Sequence, residues 1–108
     1  IEFYDALAKR VLDRSPKHVL LLHENDAAAL FLPALLARIK SEGWTVIAPQ
    51  QAYQDPIAAR FPATTFHKQG RIGALAHEKG MKARNLRSPY ESEAAIDALF
   101  EPVLSAQP

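Results

Sequence analysis

Val19-Leu20-Leu21-Leu22 is an unbroken run of four large apolar residues, framed by His18 and His23. Such a run cannot keep one wet face and one dry face. It predicts a strand buried on both sides, the habit of an interior strand in a parallel sheet. At His23 the run stops and gives way to Glu24-Asn25-Asp26. Parallel α/β folds gather ligands at the carboxyl ends of their strands, which sets His23 on the expected working face.

The flanking sequence fits alternating elements. Phe3, Leu7 and Val11, widened by Tyr4, Ala8 and Leu12, form an apolar stripe that predicts a helix over residues 2–13. Ser15-Pro16 separates it from the strand, because the residue before proline is driven out of the α region. Asn25 or Asp26 suits the N-cap of a second helix with Leu32, Leu35, Leu36 and Ile39 inward and Gly43 as terminator. Pro33 predicts a kink or a restart inside it. Trp44-Thr45-Val46-Ile47 reads as a second strand, so residues 18–47 spell a βαβ unit.

Beyond Pro49 the pattern predicts short helical turns at 50–54 and after Asp55-Pro56, and a loop at 61–65. It then predicts a helix from Arg71 to Lys79 closed by Gly80, and an exposed connection over 81–87. The last helix should begin at Ser88-Pro89-Tyr90-Glu91, bury Ala95, Ile96, Leu99 and Phe100, and end at Pro102. Two parallel strands make a poor sheet. The expected fold class is therefore α/β, with this chain as a piece of something larger; starting at Ile1 without an initiator Met points the same way.

Composition narrows the function classes. The chain has 108 residues, 48% hydrophobic and 23% charged, the make-up of one ordinary domain or part of one. A net charge of +1 falls short of the strongly basic balance of nucleic-acid binders. Cysteine is absent, which removes disulfides and thiolate metal sites. No apolar run reaches bilayer-spanning length.

Val19, Leu21 and His23, the following Glu24-Asn25-Asp26, an amphipathic helix, Gly43-Trp44 and then Gln51-Ala52-Tyr53 together resemble the end of the polysaccharide deacetylase (NodB-like) domain. The family's last motif reads aliphatic-x-Leu-x-His, and Val19, Leu21 and His23 fall on it in register. The resemblance implies the C-terminal part of a distorted (β/α) barrel over residues 1–53, with a mainly helical C-terminal extension over 54–108. It also implies a carbohydrate esterase that removes acetyl groups from N- or O-acetylated sugars with a bound divalent metal, zinc being the expected ion. By the same token it suggests a secreted, periplasmic or cell-envelope location.

His23 takes the role of catalytic general acid on this view, and Leu21 lines the acetyl pocket. Period two puts both on one side of a strand. In the family an Asp and a His-x-x-x-His pair hold the metal, and a second Asp is the base. The four histidines here, His18, His23, His67 and His77, show no i, i+4 pair, and Glu24 stands where the family often has Asp. The resemblance thus implies that the metal ligands and the N-terminal part of the barrel lie outside this chain, which alone should be inactive.

Plainer roles compete at each position. His23 could be a packed histidine bonded to a carbonyl, Asn25 and Asp26 helix caps, and Trp44 core. His67, His77 and Glu78 lack ligand spacing. The rival class is a non-catalytic α/β module that binds a partner, a sugar or an anionic ligand through its basic 68–87 segment (Lys68, Arg71, Lys79, Lys82, Arg84, Arg87).

Overall fold

The computed structural model describes residues 1–105. Five α-helices and three 3₁₀ turns account for its regular structure, and no strand occurs among the described residues. The helices are α1 (Glu2–Leu12), α2 (Asp26–Ser41), α3 (Pro49–Ala52), α4 (Gly70–Glu78) and α5 (Glu93–Ser105), with 3₁₀ turns at Pro56–Ala59, Ala83–Asn85 and Pro89–Glu91. The chain divides into two compact units: Ile1–Ser15 together with the chain from Phe61 onward, and Pro16–Arg60.

In the first unit α1 packs on α4. Leu7, Ala8 and Val11 of α1 and Leu75 and Ala76 of α4 are buried, as the four-residue spacing requires. Leu86, in the stretch expected to be an exposed connection, is also fully buried. A lone leucine among Lys82, Arg84 and Arg87 carries no periodic signal, so only the packed structure reveals it. Asp13, in the left-handed region at φ 56°, caps α1 with its N–H on the Lys9 carbonyl. Gly73 is packed so closely that an added Cβ would stand 2.9 Å from Gln69 Cβ and 3.4 Å from the Phe66 ring.

Asp5 is buried, accepts from the Ser15 hydroxyl and pairs with Lys9 Nζ at 2.7 Å. Those partners offset the cost of taking a carboxylate out of water. The last helix departs from expectation. Ser88 caps only the 3₁₀ turn, and α5 starts after Ser92, whose hydroxyl accepts from Ala95 N. The helix runs through Pro102, and Ile96, Leu99 and Phe100 are exposed rather than buried.

In the second unit the side chain of Asn25 accepts from Ala28 N at 2.8 Å and caps α2. The helix continues through Pro33 as one element, and Gly43 follows it at φ 83°. None of its sixteen residues is buried. Lys17 N donates to Asp55 at 2.9 Å, and Lys17 Nζ donates to the Gln51 carbonyl of α3 at 2.9 Å. These bonds anchor the start of the apolar run.

The expected α/β class, and with it the C-terminal part of a distorted (β/α) barrel over residues 1–53, is overturned. Residues 18–23 and 44–47 carry no strand pairing. His18 and Trp44, at the starts of the two runs, meet edge to face at 5.5 Å, so the runs come near each other without forming a ladder. The physical reason is number. Two short parallel runs supply too few hydrogen bonds and too little covered face to offset the entropy of ordering them. Val19, Leu20, Leu21 and Leu22 are consequently 65%, 48%, 81% and 45% exposed. A run that reads as interior lies on the surface.

Candidate functional site

His23 ends the apolar run and is exposed. Val19 through Glu24 make no hydrogen bond among the described residues, so the His23 imidazole is open to an incoming group. Immediately after it, Asn25 is committed to capping α2, and Asp26 stands in the helix's first turn, where its charge favours the positive end of the helix dipole. The arrangement is an accessible imidazole on a short polar bend, one residue from the start of a sixteen-residue helix's cap. Leu21 projects 81% of its surface to solvent.

His18 and His77 are held in place. His18 packs against Trp44. His77 stacks on Phe66 with ring centroids 5.1 Å apart, and its Nδ1 lies 2.7 Å from Thr64 Oγ1. Thr64 Oγ1 also accepts from Phe66 N at 3.1 Å. Glu78 accepts from Ala63 N at 2.7 Å. His77 and Glu78 therefore fasten the loop at 61–66 to α4. His67 is exposed.

No group of three or more His, Cys, Asp or Glu side chains able to hold a metal ion comes together among the described residues.

Of the basic segment, Arg71 lies over the Phe61 ring at 5.4 Å and Lys79 Nζ donates to the Val11 carbonyl. Lys68, Lys82, Arg84 and Arg87 are exposed, and none of them lies in an α-helix.

One cluster was not legible as a unit in the sequence. The Tyr4 hydroxyl of α1 donates to Glu91 Oε1 at 2.6 Å and also meets the Gln69 side chain. Burial, and then the hydrogen bond to and charge of Glu91, push the Tyr4 phenol up to about 12. Glu91, expected in the first turn of the last helix, turns its carboxylate toward a residue 87 positions away. Nothing in the local sequence signals a contact over that separation.

Comparison with known protein families, with curated proteins and with solved structures finds no match for this chain. No helix among the described residues is long and apolar enough to cross a membrane.

Proposed function

We propose that this chain is part of a metal-dependent polysaccharide deacetylase that hydrolyses acetyl groups from N- or O-acetylated sugars, with His23 as the general acid. The observation that supports this reading most is the openness of His23. Its ring is exposed, has no hydrogen-bond partner among the described residues, and follows the Val19, Leu21, His23 pattern directly. A histidine that merely tied a turn together would be bonded, as His77 is.

The chemistry needs a proton at one moment. Water adds to the acetyl carbon, and the C–N or C–O bond to the sugar then breaks. The departing nitrogen or oxygen must take up a proton to leave as an amine or alcohol, and acetate is released. An imidazolium, which can give up its ring proton, suits that transfer. No metal-holding cluster forms among the described residues, and this reading gives the chain the acid role. Leu21 supplies apolar surface for the acetyl methyl once substrate and the metal-bearing part are in place.

The test is acetate release from acetylated chitooligosaccharides and acetylated xylan by the protein in its full natural length. His23→Ala should lower turnover by about 10²–10⁴-fold while metal content stays the same. Unchanged turnover would remove the role of His23, and no release from either polymer by the wild type would overturn the hydrolase reading.

A further inference from the structure

We infer that α5 is a docking face, and that its occupant is the basic 82–87 stretch of a second copy of this chain, each copy laying its helix on the other's stretch about a two-fold axis. The inference stands apart from the hydrolase reading, since it leaves Leu21 and His23 out of the contact and association is measured without substrate.

Both surfaces are on the page. Along α5, Glu93, Asp97 and Glu101 recur at four-residue spacing and so share one face, and the helix contains no Lys, Arg or His. Beside that acidic ridge Ile96, Leu99 and Phe100 are 42%, 60% and 56% exposed. Phe100, Asp97 and Glu101 border one depression in the surface. A long basic side chain fits such a place, its stem on the ring and its head at the carboxylates. On the other surface Lys82, Arg84 and Arg87 are exposed, while the buried Leu86 holds their stretch against the core. Tyr90, just beyond them, is 68% exposed and sets an apolar ring beside the cations.

Within one copy the two sets of charges do not meet. None of Glu93, Asp97, Glu101, Lys82, Arg84 and Arg87 forms an ion pair among the described residues. The Pro89–Glu91 turn separates them along the chain and is itself bonded to Tyr4 of α1, which fixes the base of α5. Docking on a helix held in this way costs less ordering entropy than docking on a free tail.

Charge names the occupant. In a two-fold dimer every contact is made twice, so α5 on the 82–87 stretch uses both sets of charges in both copies and closes without growing further. Acid then meets base, and Ile96, Leu99 and Phe100 have the Tyr90 ring to cover them. Pairing α5 with α5 serves worse. An antiparallel two-fold pair sets each flank of a helix against the same flank of its mate, here Asp97 against Asp97 and Glu93 against Glu101. Like charges brought together across an interface oppose it.

The experiment is sedimentation of this chain from micromolar to millimolar concentration. It is run at about 0.01 M and about 1 M salt, between which the screening length falls from about 30 Å to about 3 Å. The expected result is a monomer–dimer equilibrium that weakens as salt rises. Two double variants reverse one surface each: Asp97→Lys with Glu101→Lys, and Lys82→Glu with Arg84→Glu. Either alone should weaken the dimer by about tenfold or more, because both of its contacts then bring like charges together. All four residues are exposed, so helical circular dichroism should be unchanged. Mixing the two variants makes both contacts complementary again and should restore a dimer, now of one copy of each, which also shows that both variants are folded. A wild-type chain that stays monomeric throughout would overturn the proposal. So would a dimer indifferent to either pair of substitutions, a mixture that fails to reassociate, or growth beyond the dimer.

Discussion

Tyr4 shows how a single side chain in α1 reports on a contact far along the chain. Its phenol is raised to about 12 against an ordinary value of 10, so the folded state holds that proton more tightly than the unfolded state does. The stability that follows is fully present below pH 10 and is lost as the pH climbs toward 12. Thermal midpoints measured across that window should fall for the wild type, and Tyr4→Phe should flatten the part of the fall that Tyr4 causes. A Tyr4→Phe curve that still tracks the wild type would mean that the contact with Glu91 does not persist in solution. The residue scale also separates the histidines: His77 is locked through Thr64 and Phe66, His18 is packed on Trp44, and His23 is left open. The spacing of the histidines says nothing of this, because the locking partners come from loops.

At the scale of elements, α2 depends on its ends. It buries none of its residues and contains Pro33, which removes one backbone hydrogen bond from its interior. Packing therefore stabilises it little, and the Asn25 cap, the Arg38–Glu42 ion pair in its last turn and the glycine that follows carry a large share of its persistence. Asn25→Ala should cost about 1 kcal/mol of local helix stability. That loss should appear as faster amide exchange over the first turns of α2, with α1 and α4 unaffected. Exchange that accelerates equally in all three helices would show that the cap acts on the whole fold. Helix boundaries such as these were legible in the sequence because caps and glycine stops act over three or four residues. The start of α5 was not, since Ser88 and Ser92 both precede polar turns and only the tertiary placement of Glu91 separates them.

For the whole molecule, the core is small and its large side chains sit in one unit. Leu7, Val11, Leu75 and Leu86 are its large buried side chains, whereas the Pro16–Arg60 unit exposes Leu30, Phe31, Val46 and Tyr53 along with the apolar run. Leu75→Ala should destabilise the first unit by about 2–5 kcal/mol, measured by denaturation. Amide exchange in the Pro16–Arg60 unit should be faster than in α1 and α4 before the substitution and little altered by it. A single cooperative loss of protection across both units would contradict that division of stability.

What the sequence determined by itself was local. The helical stripes of α1 and α4, the Asn25 cap, the glycines at 43 and 80 and the polar bend after His23 all follow from interactions within a few residues. What only the tertiary structure decided was whether Val19–Leu22 and Trp44–Ile47 would become strands, whether the apolar face of α5 would be covered, and where Leu86 and Glu91 would go. A helix closes its hydrogen bonds within itself, so four neighbouring residues suffice to specify it. A strand is completed only by another strand, and the apolar run, read as interior, finds none here and lies exposed.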